Sequence, residues 1–472
     1  MSRFAGPGRY HQWMRFLLGL VVILLLAVGG AYVVAGRMAG PPIQINKPDK
    51  VVGVSTPLEI EVQAPGVRFE DLRIVLEQNG KQFPLFSLAD QKGAQVRQNG
   101  PDRLIVSREI GKQSVPELQS GNAAIVVTAS RKVVYGIRTV ESTARRDFRV
   151  RLERPRVAIL STHHYINHGG AELVVYRATP EDVTSGVVVG DVEYPGYPAS
   201  GAAPEGVKIA DPALRVAFFA LLHDQDLKTP IRLFARDEAG NTARADFESR
   251  VFPKPFKRSK IEVSDQLLDR VVPAILEGTT DVKPEGDNLA KFLVINGELR
   301  RKNNEKIASF AAQTKPELLW RGVVFHPFSN TAVESAFADH RTYVYKGKEV
   351  DQQVHLGFDL ASFTGTPIVS ANRGVVLFAD ELGIYGNCVI IDHGLGVQSL
   401  YAHLSTIDVK AGQTVEKEQQ IGRSGMTGMA GGDHLHFTML VNGRMVNPVE
   451  WWDAHWIEDR ILRKLRAAGS GS

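Results

Sequence analysis

An uncharged apolar stretch, residues 16–36, constrains this chain more than any other feature of its sequence. Leu, Val, Ile, Ala and Gly fill most of it, and it is long enough to cross about 30 Å of hydrocarbon as a helix. A cleaved signal peptide is the alternative, but its apolar core spans about 7–15 residues and ends at a small-residue cleavage site. The length therefore favours an uncleaved transmembrane helix at 16–36.

Positive charges precede this segment and predict its orientation. Arg3, Arg9 and Arg15 lie before it, with no acidic residue among them. Because positively charged flanks stay on the cytoplasmic side of a membrane, residues 1–15 are predicted to be cytoplasmic. We expect everything after Arg37 to lie on the other side, so the sequence indicates a single-pass membrane protein.

Short alternating strands separated by turn residues fill the next part of the chain. Leu-Glu-Ile-Glu-Val at 58–62 is typical of a half-buried strand. A weak repeat adds to this pattern, because Thr-Ala-Arg-Arg-Asp-Phe at 143–148 returns as Thr-Ala-Arg-Ala-Asp-Phe at 242–247. The spacing predicts two immunoglobulin-like β-sandwich modules, at 41–154 and 155–255, each of about 100 residues.

A helical pattern follows and predicts a connector at 256–319. Ser264 is a good N-cap, and apolar residues come after it at helical spacing. These apolar positions are Leu267, Leu268, Val271, Val272 and Ile275. They must be buried against something, which leaves two alternatives open. The connector packs on the second β-module as a spacer, or it lies across the groove of the next domain and must move before substrate enters.

Glycine-rich β-strands return at 320–455, and a helix with a tail is expected at 456–472. The predicted fold class is therefore mainly β. It comprises one N-terminal transmembrane helix, two immunoglobulin-like modules, a helical connector and a C-terminal domain built on an antiparallel β-sheet.

Charge and cysteine content exclude several classes of function. Lys plus Arg number 56 and Asp plus Glu number 52, which gives a net charge of +4. No large field of one sign is therefore available for nucleic-acid phosphates, and a nucleic-acid partner is not expected. The single cysteine, Cys388, cannot form an internal disulfide or a CxxC site.

Five residues of the C-terminal domain form a pattern suited to metal chemistry. They are His355 and Asp359 in a His-x-x-x-Asp motif, a lone His403, and His434 with His436 in a His-x-His motif. Imidazole nitrogens and a carboxylate oxygen are the ligand types that suit Zn²⁺. Each element alone occurs by chance, whereas three of them within one segment are far more specific.

Local geometry supports bringing these residues together. Side chains alternate along a strand, so His434 and His436 would point to one face of a sheet. Gly357, between His355 and Asp359, would permit a bend that returns both side chains to one ion.

The residues around these positions carry a resemblance to a known family. The motifs are His-Leu-Gly-Phe-Asp-Leu at 355–360, Tyr-Gly-Asn-Cys-Val-Ile-Ile-Asp-His-Gly at 385–394, Tyr-Ala-His-Leu-Ser at 401–405 and Gly-Asp-His-Leu-His-Phe at 432–437. Through them, residues 325–452 resemble the lysostaphin/LytM-type zinc metalloendopeptidases. The resemblance implies an open groove that accepts an extended peptide, and cleavage of peptide bonds in peptidoglycan.

The resemblance also implies a role for each residue. His355, Asp359 and His436 correspond to the ligands of one Zn²⁺ per chain, and His403 and His434 to an unliganded catalytic pair. We choose His434 as the general base and His403 as the group that positions water or stabilises the oxyanion. The sequence does not separate these two roles, which could be exchanged.

Three readings of function follow from this resemblance. The leading one is an endopeptidase of a bacterial inner membrane that hydrolyses peptide cross-links of peptidoglycan outside the cytoplasm. The second is a non-enzymatic member of the same fold that binds peptidoglycan or activates an amidase, but such relatives typically lack zinc residues. The third is an envelope scaffold that acts through its immunoglobulin-like modules. The expected partners are peptidoglycan peptide stems and the membrane. The sequence does not identify a protein partner for the two immunoglobulin-like modules.

Overall fold

The structure, a computed structural model, describes residues 8–63, 69–100, 102–134, 136, 138–320, 324–328 and 331–470. Over these residues the chain is mainly β, which confirms the predicted fold class. Two compact units emerge from the contacts within the chain. The first comprises Met1–Arg154 and Asp237–Asn241, and the second comprises Pro155–Arg236 and Thr242–Ser472.

A long apolar helix, α1 (Gly8–Ala35), begins the described chain. Its 23-residue stretch Trp13–Ala35 is long and apolar enough to cross a membrane. A signal sequence near an N-terminus meets the same criterion, so the helix is compatible with an anchor or with a signal. Arg3, on which the predicted orientation partly rests, lies outside the described residues.

The first unit contains two mainly antiparallel sheets that share one core. Their strands are β1 (Ile43–Lys47), β2 (Val51–Val52), β3 (Thr56–Gln63), β4 (Phe69–Gln78), β5 (Lys81–Ser87), β6 (Gln95–Gln98), β7 (Arg103–Ile110), β8 (Gly121–Val133) and β9 (Arg138–Val150). One sheet has the order β2-β9-β8-β4-β5 and the other β1-β3-β7-β6. Ile60, Leu76 and Ile125 from both sheets are buried in one apolar cluster, as in a β-sandwich.

The second unit begins with another pair of sheets. The strands are β10 (Arg156–Ile159), β11 (His164–Asn167), β12 (Ala171–Thr179), β13 (Thr184–Val189), β14 (Val192–Pro195), β15 (Tyr197–Pro198), β16 (Leu214–Ala220), β17 (Ile231–Arg236), β18 (Thr242–Asp246) and β19 (Ser249–Phe252). The orders are β10-β12-β16-β15 and β14-β13-β17-β18, with β11 and β19 as a parallel pair. Both sheets bury a dense set of Val, Phe and Leu side chains in the core of this unit.

The helical connector follows the strand β20 (Arg258–Glu262). It consists of α2 (Asp265–Gly278), α3 (Asn288–Val294), a π-helical turn (Ile295–Leu299), α4 (Arg300–Ser309) and a 3₁₀ turn (Phe310–Gln313). The side chain of Ser264 caps α2 by accepting a hydrogen bond from the backbone N–H of Leu267 at 3.1 Å, as the sequence predicts.

Three sheets form the C-terminal part of the second unit. Their further strands are β21 (Ala332–Ser335), β22 (Asp339–Tyr345), β23 (Lys348–His355), β24 (Phe358–Ala361), β25 (Pro367–Val369), β26 (Gly374–Glu381), β27 (Asn387–Gly394), β28 (Val397–Leu404), β29 (Thr406–Ile407), β30 (Thr414–Val415), β31 (Gln420–Arg423), β32 (Leu435–Val441) and β33 (Arg444–Val446). Among the described residues, the large sheet has the order β21-β24-β32-β28-β27-β26-β30, and β33 pairs with β32. The smaller sheets have the orders β20-β22-β23 and β25-β31-β29.

A helical segment closes the described chain and packs on the same core. It contains a 3₁₀ turn (Pro448–Trp452), α5 (Ala454–Ile457), a π-helical turn (Glu458–Leu462) and α6 (Arg463–Ser470). Trp451, Ile461 and Leu465 are buried there in the apolar core that also includes the strands of the large sheet. The segment boundaries given in the sequence analysis stay predictions.

Candidate metal centre

Strand pairing brings the five predicted site residues to one place. His355 is the last residue of β23, Asp359 lies in β24, His436 in β32 and His403 in β28, while His434 directly precedes β32. Asp359 and His436 are paired residues of neighbouring antiparallel strands. All five residues are less than a tenth exposed, so the cluster is buried.

Three donor atoms of this cluster converge on a single point. Oδ1 of Asp359 lies 2.9 Å from Nε2 of His355 and 3.1 Å from Nδ1 of His436. The two histidine nitrogens are 3.0 Å apart. Metal–nitrogen and metal–oxygen bonds of about 2.0–2.2 Å separate neighbouring tetrahedral ligands by roughly 3.3 Å, so the three donor atoms would need to move apart only slightly to hold an ion.

The outer nitrogen of His355 supports this arrangement. Its Nδ1 lies 3.2 Å from the backbone carbonyl of Ala336, which accepts a hydrogen bond from the ring. A ligating histidine usually fixes its tautomer by such a bond, because the opposite nitrogen is then free of a proton. In the neutral ring, Nε2 of His355 would face the cluster as a lone pair. Two imidazoles and one carboxylate are a donor set that could hold a divalent transition metal and leave a position open.

A second histidine pair lies beside these donors. Nδ1 of His403 is 2.8 Å from the carbonyl of Thr427, and Nδ1 of His434 is 2.9 Å from the carbonyl of Gly432. Each ring therefore donates through Nδ1 and keeps Nε2 as a proton acceptor. The two ring centres are 4.9 Å apart, and Nε2 of His434 is 3.5 Å from Oδ1 of Asp359.

The surroundings separate the two histidines in basicity. Burial, followed by the charges of His434 and His436, holds the pKa of His403 well below its usual value. Burial also lowers the pKa of His434, but the hydrogen bond and charge of Asp359 outweigh it and raise that pKa overall. His434 is therefore the more basic imidazole of the pair.

The carboxyl group of Asp359 is held in its charged form. Burial by itself would raise its pKa, yet the charge of His355 and hydrogen bonds from the surrounding histidines together bring it well below the usual range. An ionised carboxylate among imidazoles is the state that binds a cation.

Gly357 has a different role from the one that the sequence suggests. Its φ is not in the left-handed region, so no special bend requires a glycine there. Instead, a Cβ at this position would lie 2.5 Å from the imidazole of His436. Residue 357 must therefore lack a side chain, because the imidazole of His436 fills the space beside it.

The donors line a small cavity that the connector borders. Its volume is about 100 Å³, which is enough for several water molecules. Arg300 and Asn304 of α4 line it, together with Tyr385 and Met429 from loops beside the site. The sequence alone does not assign these four residues to the site, because their approach depends on contacts between distant segments.

Polar contacts attach the connector to the loops beside the donors. Nη2 of Arg270 in α2 donates to the carbonyls of Ala430 at 2.8 Å and Gly431 at 3.2 Å. The hydroxyl of Tyr385 donates to Oδ1 of Asn304 at 2.8 Å. The ring of Tyr385 in turn lies 5.6 Å from that of His436, so the connector is two contacts away from the donor cluster.

Two other buried histidines, His164 and His393, lie apart from this cluster. His164 is buried, and its Nε2 is 2.9 Å from the hydroxyl of Ser161. His393 is also buried, and its ring nitrogens contact the carbonyl of Arg373 and the hydroxyl of Ser399. The ring nitrogens of both histidines are thus used in hydrogen bonds within the protein. In the part of the chain that the structure describes, the grouping of ligand atoms suited to a metal is that of His355, Asp359 and His436.

Comparison with known proteins agrees with this geometry. The sequence pattern of peptidase family M23 matches residues 353–448, which include all five residues. The C-terminal part of the chain therefore contains a LytM-type peptidase M23 domain.

Curated relatives share this domain. An uncharacterized metalloprotease of Haemophilus influenzae is 38% identical over 135 residues, which are 28% of either chain. The DD-carboxypeptidase/endopeptidase Mpg of Neisseria meningitidis is 43% identical over 97 residues, 21% of this chain and 22% of the relative. The peptidoglycan DD-endopeptidase ShyA of Vibrio cholerae is 44% identical over 96 residues, 20% of this chain and 22% of the relative. The chain thus matches roughly a quarter of the length of these relatives.

Proposed function

We propose that this protein is a membrane-anchored zinc metalloendopeptidase that hydrolyses peptide cross-links of bacterial peptidoglycan. One observation carries the proposal. His355, Asp359 and His436 place three donor atoms within 3.1 Å of one another, beside the imidazoles of His403 and His434. The M23 domain around them and the names of two relatives, both of which include endopeptidase, support the reaction.

Zn²⁺ is the metal that best suits these donors. Two neutral imidazoles and one carboxylate are a common catalytic zinc set, with a fourth position left for water or substrate. Nε2 of His355, Oδ1 of Asp359 and Nδ1 of His436 would hold the ion. When bound, Zn²⁺ would supply a Lewis acid for the scissile carbonyl and would make water a stronger nucleophile.

The unliganded histidines would move and hold protons around that ion. Nε2 of His434 faces the cluster, so it would take a proton from the attacking water and pass it to the leaving amine. Nε2 of His403 would orient the water or, once protonated, stabilise the developing oxyanion. Their Nδ1 bonds to backbone carbonyls keep both rings in place throughout.

Location and substrate follow from the N-terminal helix. If α1 spans the membrane with its basic flank in the cytoplasm, the M23 domain lies outside the cytoplasmic membrane, where peptidoglycan is found. Tethering would restrict hydrolysis to cross-links within reach of the membrane surface.

Digestion of purified peptidoglycan tests the proposal. Full-length protein in detergent, loaded with zinc, should convert cross-linked muropeptides into monomers, which mass spectrometry identifies by the new amine and carboxyl ends. His434→Ala, with the same zinc content, is the matched inactive control. Intact cross-links after prolonged incubation with zinc-loaded protein would refute hydrolysis and favour the non-enzymatic reading.

A further inference from the structure

The two carboxylate oxygens of Asp359 have different surroundings. Oδ1 faces the nitrogens of His355 and His436 at 2.9 and 3.1 Å. Oδ2 points away from them and accepts a hydrogen bond from Nη2 of Arg341 at 2.8 Å. One oxygen is therefore presented to the donor cluster, while the other is held by an arginine.

Strand pairing places Arg341 for this contact. It lies in β22, and its side chain is only 20% exposed. The same Nη2 also donates to the hydroxyl of Ser335 at 2.8 Å. Ser335 is the residue opposite Asp359 in the pairing of β21 with β24. The guanidinium thus bridges two residues that face each other across adjacent strands, and rotation of Asp359 would break this bridge.

A second buried carboxylate lies on the other side of Arg341. Asp339 is 2% exposed, and its Oδ2 is 3.8 Å from Nε of Arg341. That oxygen accepts a hydrogen bond from the hydroxyl of Ser259 at 2.6 Å. Ser259 lies in β20, which pairs with β22 in parallel. A chain of contacts therefore runs from a strand that precedes the connector to the donor cluster of the M23 domain.

The position between these two carboxylates is better suited to an arginine than to a lysine. A buried cation is costly unless it is paired and hydrogen-bonded, and Arg341 lies between two carboxylates. Its planar guanidinium offers several donors in a fixed geometry, whereas a lysine ammonium is a single point charge on a flexible stem. Arg341 can therefore fix the direction of Asp359 as well as balance its charge.

We propose that Arg341 is a positioning residue that holds Asp359 so that only Oδ1 is presented to the metal. Ser335 and Asp339 hold Arg341 in turn. This inference rests on the proposed zinc site, yet it concerns metal affinity and ligand geometry rather than peptide cleavage. Groups that bond to metal ligands typically change affinity by about 10–100-fold when they are removed, and we expect a loss of that size for Arg341→Met.

Metal binding by the full-length protein in detergent tests the proposal. Zinc affinity is measured by competition with a chromophoric chelator, and the ligand geometry is measured by the visible absorption bands of the Co²⁺-substituted protein. Arg341→Met should bind zinc about 10–100-fold more weakly and show shifted cobalt bands. Arg341→Lys should lose less, because it keeps the charge and one donor. Arg373→Met is the matched control. Arg373 lies in the same unit and donates hydrogen bonds to the carboxylate of Glu416 and the backbone carbonyl of Leu319.

The outcomes separate this inference from the proposed function. If the parent protein binds neither zinc nor Co²⁺, the zinc site itself is refuted. If the parent binds both and Arg341→Met keeps the parent's affinity and bands, the positioning role is overturned. A purely structural role would lower the unfolding temperature of the metal-free protein and leave the cobalt bands unchanged, which also overturns it. Should Arg341→Met fail to fold, Ser335→Ala and Arg341→Lys carry the test, and parent-like affinity and bands in both would overturn the proposal.

Discussion

Asp359 and His436 lie opposite each other on paired antiparallel strands, with Oδ1 of the aspartate 3.1 Å from Nδ1 of the histidine. A shift of this pairing by one residue would turn one of the two side chains to the other face of the sheet. The register of β24 and β32 therefore determines whether the donor cluster exists. His355 joins from the end of β23, so three strands supply one ligand atom each.

We expect one zinc per chain in protein purified without added metal. His355→Ala and Asp359→Ala should each lose it, because either change leaves two of the three donors. Metal analysis by plasma mass spectrometry measures the content directly. His455→Ala, an exposed histidine of the C-terminal segment, is the control and should retain the metal. Full zinc occupancy in both ligand variants would show that the ion binds elsewhere.

His434→Ala should retain zinc and lose most of its turnover. Nε2 of His434 is the proposed proton acceptor, and general base catalysis contributes about 10²–10⁴-fold to rate. Release of peptides from cross-linked muropeptides gives the rate, and metal analysis of the same sample gives the zinc content. Loss of metal would place His434 among the ligands. A near-normal rate with zinc bound would remove it from the mechanism, and His403→Ala would then be the next variant to test.

The orientation of the chain in the membrane is open to a direct test. Arg9 and Arg15 flank the apolar stretch of α1 on its N-terminal side, and the M23 domain needs a substrate outside the cytoplasm. Protease added to spheroplasts should digest the region after Arg37, whereas a tag at the N-terminus should stay protected. A cytoplasmic protein protected in the same preparation controls for lysis. A protected M23 domain would contradict both the orientation and the substrate.

Loosening the connector should raise the rate of hydrolysis. Arg300 and Asn304 of the connector line the cavity at the donors, and Arg270 attaches α2 to the loop that leads into His434. Arg270→Gln weakens this attachment by about one hydrogen bond, which corresponds to a rate increase of roughly three- to tenfold if entry of peptide limits turnover. Lys283→Gln removes the charge of an exposed connector lysine and should change nothing.

Point variants suit this test better than truncation, because removal of the chain before residue 315 would also remove β20 and with it the contact of Ser259 with Asp339. Hydrolysis by Arg270→Gln at the parent's rate, with equal zinc content, would identify the connector as a spacer.

Sequence patterns predicted the ligand types of the site but not the contacts that orient them. The alternation in His-x-His places His434 and His436 on one face, because alternation is a local property of a strand. The role of Gly357 was not predictable, since the imidazole that excludes a Cβ there comes from a different strand. The role of Arg341 was not predictable for the same reason. Its contact with Asp359 depends on the arrangement of three strands, and sequence spacing alone does not encode it.

A buried acid outside the site makes the stability of the protein depend on pH. Glu450, in the 3₁₀ turn Pro448–Trp452, is 7% exposed. Its carboxylate accepts hydrogen bonds from the side chain of Asn167 at 2.6 Å and the backbone N–H of Ala171 at 2.9 Å. Burial raises the pKa of this carboxyl group from 4.5 to about 7, although these two hydrogen bonds oppose the shift.

The sign of the pH effect follows from linkage. Below pH 4.5 the group is protonated in both the folded and the unfolded chain, so its full contribution to stability is present. As pH rises from 4.5 to about 7, the unfolded chain releases the proton before the folded one does, and that contribution is lost. Glu450→Gln stays neutral throughout, so its free energy of unfolding relative to the parent should rise by roughly 2–5 kcal/mol between pH 4.5 and pH 8. Urea unfolding followed by tryptophan fluorescence measures both proteins at each pH, and Glu416→Gln, an exposed glutamate of the same unit, is the control. A difference between Glu450→Gln and the parent that stays constant over this range would show that Glu450 is ionised in the folded protein at pH 5.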